Sequence, residues 1–288
     1  MIKEPFFSII IPCLNEEKSL PLLLKDLADQ TLQDFEVIVI DGHSKDKTIE
    51  KAEKFIKILP SLTILTSKIR NVSVQRNMGG EAAIGTYLLF NDADNRLPSY
   101  FLEGVKYQQT VKPADMFTTW CSPDSNRNSD KAVTTYLNLL AETGFLLGSP
   151  GALGAMIGCR RKLFGKIGGF NPEVGFAEDT EFIRQGYRKG YSFSIIHEPR
   201  FIYSLRRFRS IGTLKLIRQY SVLNLKYMTN QKVDQKKEYP MGGIYPDKAK
   251  TTPEFIKNLQ SVFLKNGPKK NITEQIRALL SLEEADLK

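Results

Sequence analysis

The chain has 288 residues, 41% of them hydrophobic and 25% charged, which is enough to bury a full core and excludes a globally disordered polymer. A net charge of +9 points to an anionic partner: a nucleotide, a phosphorylated lipid carrier or an anionic membrane face. Zinc-finger spacing, helix-turn-helix and RRM signatures are missing, so nucleic acid is not the expected partner. Cys13, Cys121 and Cys159 lack CxxC spacing, which favours reduced thiols in a cytoplasmic setting. The short polar start before Ile9 does not read as a signal peptide. No run reaches the ~18 apolar residues of a membrane span. The nearest, 136–159, is broken by Asn138, Glu142 and Pro150 and suits peripheral contact with a bilayer surface. The expected location is the cytoplasm, including the cytoplasmic face of the membrane.

In chain order, the apolar run 6–11 reads as a buried strand stopped by Pro12, and 19–30 as a helix with leucines at 20, 23, 24 and 27. A strand over 35–40 ends on Asp41-Gly42, followed by a helix over 48–58, a strand over 62–65, a helix over 72–83 and a strand over 86–90. This alternation predicts βαβ units and a largely parallel sheet with covered faces. Beyond residue 100 the pattern loosens: strand 116–121, amphipathic helix 132–147, strand or loop 151–159, helix 179–189, strand 193–196, basic loop 203–209 and helix 214–228. Two short amphipathic helices are expected near 253–265 and 272–286.

Ligands of such sheets bind beyond the carboxyl ends of the strands, and three of these ends are acidic: Asn15-Glu16-Glu17, Asp41-Gly42 and Asp92-Ala93-Asp94. Alternate residues of a strand share a face, so Asp92 and Asp94 can point into one cleft, where a hard divalent cation would offset their repulsion. The plainer alternative is a local turn cap. Asp41-Gly42 by itself is best read as a turn. Glu178 and Asp179 are either helix N-terminal acids or a general base. Arg206-Arg207-Phe208-Arg209 is either a solvated loop or a fork for phosphate oxygens. His197 is either a structural histidine or a metal ligand. G-x-x-x-x-G-K-[ST], G-x-G-x-x-G and G-x-S-x-G are absent, so P-loop, dinucleotide and α/β-hydrolase chemistry lack support.

Five blocks in order then resemble the family 2 glycosyltransferases: Ser8-Ile-Ile-Ile-Pro-Cys-Leu-Asn-Glu-Glu17, Val39–Thr48, Gln75-Arg-Asn-Met-Gly79, Leu89-Phe-Asn-Asp-Ala-Asp94, and Gly168–Phe182 with its Glu178-Asp179 pair. The resemblance covers about residues 6–210. It implies an α/β GT-A (Rossmann-like) fold, a mostly parallel central sheet flanked by helices, over 1–230. Residues 1–110 would form the nucleotide-binding half, 111–230 the acceptor and catalytic half, and 231–288 a helical C-terminal extension. It further implies inverting transfer of a single sugar from a nucleotide-diphosphate sugar to the hydroxyl of a lipid-linked or saccharide acceptor, with Mg²⁺ or Mn²⁺ as cofactor. Pro12, Leu14, Glu16, Asp41 and Arg76 would serve the nucleoside, and Asp92 the ribose or sugar. Asp94, with Asp92 and His197 as further candidates, would serve the metal. Asp179, beside Glu178, would deprotonate the acceptor, and Arg206 and Arg207 would steady the diphosphate. His43 replaces a serine common in the second block. The Q-x-x-R-W signature of processive synthases is missing, which favours single transfer over polymer extrusion. A haloacid-dehalogenase-like phosphatase, which also carries D-x-D after a strand, and a catalytically silent nucleotide-sugar-binding protein are the alternatives.

Overall fold

The computed structural model describes residues 4–220, apart from 153–154, 214 and 217–218. Within them, strands β1 (Phe7–Cys13), β2 (Phe35–Asp41), β3 (Leu62–Thr66), β4 (Tyr87–Asn91), β5 (Met116–Pro123), β6 (Met156–Arg160) and β7 (Phe193–Tyr203) form one sheet in the order β3-β2-β1-β4-β6-β5-β7. Helices α1 (Leu20–Ala28), α2 (Thr48–Glu53), α3 (Val72–Ala82), α4 (Phe101–Val111), α5 (Asn128–Leu146), α6 (Arg161–Ile167), α7 (Glu178–Arg188) and α8 (Arg206–Ile211) connect them.

β1, β2 and β4 are buried along their whole length, because helices cover both faces of the sheet. The pleat divides them. Ile9, Ile11, Val37, Val39 and Leu89 join one core with Leu20, Leu24, Phe101 and Leu102. Ile10, Ile38, Ile40, Leu88 and Phe90 join a second core with Phe164, Phe170, Phe182 and Ile183. The three cysteines are buried free thiols, and burial pushes all three pKa values up.

β1 pairs in parallel with β2 on one side and β4 on the other. The chain order therefore reverses between β1 and β4, and a crevice opens beyond their carboxyl ends. The sheet is mostly parallel, with one inversion: β6 runs antiparallel to both β4 and β5. That inversion brings the amino end of β6 to the same crevice, where the amide of Asp92 donates to Ala155 O at 3.1 Å.

Several expectations are corrected. α4 and α6 were not foreseen; α4 buries Phe101, Leu102, Val105 and Gln109 but exposes Tyr107 and Val111, which blurs its periodicity. The strand expected over 193–196 continues to Tyr203, and the basic stretch from Arg206 is the helix α8 rather than a loop. α8 bonds back on itself, with Arg209 N donating to Leu205 O at 2.9 Å, and buries Phe208 and Arg209. Residues 221–228 of the expected helix 214–228, both expected helices near 253–265 and 272–286, and the extension 231–288 lie outside the described residues.

α3 approaches the sheet at Gly79, where an added Cβ would stand 2.4 Å from Ile10 Cγ2 and 2.7 Å from Ile40 Cδ1. Gly79→Ala is therefore expected to cost about 1–3 kcal/mol by overpacking, read as a lower midpoint in urea unfolding. An unchanged midpoint would mean that the contact relaxes freely.

Candidate active site

The consecutive residues Gln75, Arg76 and Asn77 of α3 tie three separate parts of the chain together. Gln75 Nε2 donates to Cys13 O at 3.1 Å and to Ile40 O at 2.7 Å, closing the ends of β1 and β2. Asn77 holds the loop before α7 from both sides: Nδ2 donates to Phe170 O at 2.7 Å, and Oδ1 accepts from Phe170 N at 2.8 Å. Between them Arg76, with a side chain 3% exposed, donates through Nη1 to Glu178 Oε1 at 2.9 Å and through Nη2 to Asp92 Oδ1 at 3.0 Å. Its guanidinium also lies over the Phe170 ring, 5.2 Å from the centroid. One buried cation thus brings the acid at the end of β4 and the acid at the start of α7 to the same place, although they are 86 positions apart in numbering, 178 − 92.

The electrostatics of the cluster follow from burial. Burial, then the neighbouring Asp94 and Glu178, push Asp92 up to about 6 against the pull of Arg76. Burial, then Glu178, push Asp179 up to about 7, again opposed by Arg76. Burial disfavours the charged form of Arg76, but Asp92, Glu178 and Asp179 outweigh it and its pKa rises. A carboxylate with a proton affinity near neutrality is suited to receive a proton in reaction. Backbone strain sits nearby: Ala177, which precedes α7, adopts φ 60°, and Asn15 and His43 after β1 and β2 adopt φ 56° and 63°. Non-glycine residues held in this region concentrate at functional sites.

A second ion cluster faces the first. Arg206, on α8, donates from Nη1 to Glu16 Oε2 at 2.8 Å, pairs through Nη2 with Glu16 Oε1, and sets Nε 3.0 Å from Asp94 Oδ2. Burial raises the pKa of Glu16, opposed by the Arg206 hydrogen bond and charge. α8 is itself fixed by Arg209, which grips Asp124 with two hydrogen bonds of 2.7 Å and reaches Asp130 at 3.1 Å.

These groups line one cavity of about 380 Å³, the size of a small-ligand site. Pro12, Leu14, Glu16, Arg76, Asp92, Asp94, Glu178, Asp179, Arg206 and Arg207 all border it. Two expected residues do not. Asp41 lies behind the wall, beside Cys13 in the parallel register, where both its oxygens accept from Ser44 N at 3.1 Å, as the turn reading had it. His197 stands apart from the acidic cluster: it is 60% exposed, and its Nε2 lies 2.7 Å from Glu142 Oε1. Its ring packs on Trp120 at 4.4 Å, and it does not border the cavity.

Sequence reasoning missed the structural tasks of Gln75 and Asn77, for which Gln75 as a polar residue on the buried face of α3 was the available signal. It also missed the apolar wall of Leu137, Phe176, Phe208 and Tyr220, and the Arg209 anchor.

Among the described residues no three His, Cys, Asp or Glu side chains converge to hold a metal. The donor set nonetheless suits Mg²⁺ or Mn²⁺ shared with a diphosphate, since such ions commonly take only one or two carboxylates from the protein and the rest from phosphate and water. Asp94, with its side chain 21% exposed, borders the cavity.

The profile of glycosyl transferase family 2 matches residues 8–168, so the chain belongs to glycosyltransferase family 2. A PGL/p-HBAD biosynthesis glycosyltransferase of Mycobacterium bovis is 43% identical over 94 residues, 32% of this chain and 37% of that protein. A cholesterol galactosyltransferase of Borreliella burgdorferi is 35% identical over 96 residues, 33% of this chain and 27% of its own. The chain thus matches about a third of the length of these relatives. The glycosyltransferase EpsJ of Bacillus subtilis is 27% identical over 214 residues, covering 69% of this chain and 61% of EpsJ. In fold, Staphylococcus aureus TarS 1–349 in complex with UDP-GlcNAc matches 94% of this chain and 79% of its own, with TM-score 0.58 and 22% identity. The mannosyltransferase PcManGT of Pyrobaculum calidifontis, in complex with GDP-Man and Mn²⁺, matches 77% and 65% with TM-score 0.59 and 19% identity. The architecture is the GT-A type of α/β fold, and the phosphatase alternative is left without support.

Arg76→Met keeps most of the volume but removes the cation shared by Asp92 and Glu178. It is expected to cost about 3–5 kcal/mol and to cost more at pH 8 than at pH 5, because the stranded carboxyls can take protons in acid. Urea unfolding at the two pH values measures this, and a loss independent of pH would contradict the shared-cation account.

Proposed function

We propose that this protein transfers a single sugar from a nucleoside-diphosphate sugar to an acceptor hydroxyl by one in-line displacement, with inversion at the anomeric carbon. The observation that carries the reading is the meeting of Asp92, Asp94, Asp179 and Arg206 around one cavity. Pro12, Leu14 and Glu16 form the donor wall after β1, with Asp41 bracing the turn behind it. Asp94, with Asp92 beside it, would hold Mg²⁺ or Mn²⁺, which when bound supplies positive charge to the departing diphosphate. Arg206 and Arg207 offer forked donors to the same oxygens. Arg76 holds Asp92 toward the donor and fixes the start of α7, so that Asp179 is aimed by a rigid helix. Asp179 accepts the acceptor's proton as its oxygen attacks.

The acceptor in this reading is a lipid-linked or saccharide hydroxyl. An apolar wall supports it: Leu137 and Leu140 of α5 border the cavity, and the helix with its C-terminal cap exposes Tyr136, Leu139, Leu146 and Leu147. With the chain's net positive charge, this face suits peripheral contact with an anionic membrane. Among the described residues no helix is long and apolar enough to cross one.

Asp179→Asn is expected to lower turnover by ~10²–10⁴-fold while leaving nucleoside-diphosphate binding in place, as read by thermal shift against UDP and GDP. Because the base must be unprotonated, the rate of the parent chain should rise through about pH 7, and that limb should vanish in the variant. The same carboxyl is raised from ~3.9 in the unfolded chain, so the folded state holds the extra proton and stability falls as pH rises toward 7. Asp179→Asn should therefore melt higher than the parent at pH 8, with the gap closing by pH 4. Undiminished turnover in the variant would remove Asp179 from the chemistry. Donor hydrolysis without an acceptor separates a working transferase from a silent binding protein.

A further inference from the structure

The carboxylate best placed to take a divalent ion is already engaged by a guanidinium. Arg206 Nε stands 3.0 Å from Asp94 Oδ2, and the other two nitrogens bind the two oxygens of Glu16. Nη1 also reaches Ser19 Oγ at 3.3 Å. The side chain is 20% exposed, so these contacts are little weakened by solvent. The helix beneath it cannot drift easily, because Arg209 is anchored to Asp124 and Asp130. Any exchange of partners by Arg206 is thus a side-chain movement on a fixed backbone.

A Mg²⁺ or Mn²⁺ ion bonds a carboxylate oxygen at about 2.0–2.2 Å. It cannot share Asp94 Oδ2 with a guanidinium nitrogen 3.0 Å away, since the two cations would repel at close range with little water between them. An ion that takes Oδ2, or closes on both oxygens of Asp94, therefore has to displace Arg206. Release leaves Nε, and part of the guanidinium's charge, without its carboxylate in a partly buried cavity unless a new anion meets them. A diphosphate is such an anion, and its paired oxygens match the fork.

We propose that Arg206 is the resident counter-cation of Asp94, making divalent-ion binding conditional on a diphosphate that draws the guanidinium away. The inference rests on the reading of Asp94 as the ion's ligand and adds a coupling that the reading does not require. Arg206 acts here as a positioning and gating residue: it sets the order in which the two charged ligands can enter.

Electron paramagnetic resonance of free Mn²⁺, titrated with the full chain, tests this without turnover. In the parent chain Mn²⁺ alone should bind weakly, and roughly tenfold more tightly when saturating UDP or GDP is present. Arg206→Gln should bind Mn²⁺ alone roughly tenfold more tightly than the parent, and its gain on adding the nucleotide should shrink. Arg206→Ala, which has no polar group to misplace, should show the same tightening, and thermal melts confirm that each variant is folded. Folded variants whose affinity for Mn²⁺ alone equals that of the parent would overturn the coupling while leaving the ion site standing. A parent chain that binds UDP or GDP but takes up Mn²⁺ in neither condition would overturn the ion site together with the coupling, and would leave the donor site intact.

Discussion

The interaction on which the site depends is the contact of the buried Arg76 with Asp92 and Glu178. A guanidinium taken out of water is tolerable only when its donors are met by acceptors, and two carboxylates in the same cavity are tolerable only with a cation between them. Each half of this arrangement makes the other possible. Asp92 comes from the end of a strand and Glu178 from the start of a helix much later in the chain, so the contact welds the acidic end of the sheet to the helix that carries Asp179. The raised proton affinity of Asp179 follows from the same burial.

α3 gives that contact its accuracy. Its close seat on β1 and β2 at Gly79 fixes the height of the helix above the sheet, and Gln75 and Asn77 fix its two flanks. Three adjacent side chains on a helix point in different directions, about 100° apart. Here that divergence is used to reach the strand ends, the acidic cluster and the loop before α7 in turn. A site assembled by one rigid helix keeps its geometry better than one assembled by loops.

The cavity is divided between charge and apolar surface. Glu16, Asp94 and Arg206 form one ionic cluster and Arg76, Asp92 and Glu178 another, while Leu137, Phe176, Phe208 and Tyr220 supply an apolar wall. In the proposed function a diphosphate would take the charged side and the acceptor the apolar side. The Arg209 anchor holds α8 between the two, so that Phe208 faces the apolar cluster with Val133 and Leu137 while Arg206 faces the acids.

The amino-acid sequence by itself determined the βα alternation up to β4, the covered sheet and the acidic strand ends, because periodicity and strand-end chemistry are local properties of the chain. Five dispersed blocks also sufficed for the family, and the candidate site residues line one cavity, with Asp41 and His197 as the exceptions. Asp41 is spent on Ser44 within its own turn, as its local residues suggest, while the partners of His197, Trp120 and Glu142, lie far from it in the chain and are not written in spacing. Tertiary structure alone decided the inverted strand β6, the helical form of the basic stretch at Arg206, and the pairing of each arginine with its acids. Those outcomes depend on which charges are buried together, and burial is set by packing between segments far apart in the chain, where the pattern within any one segment carries no record of it.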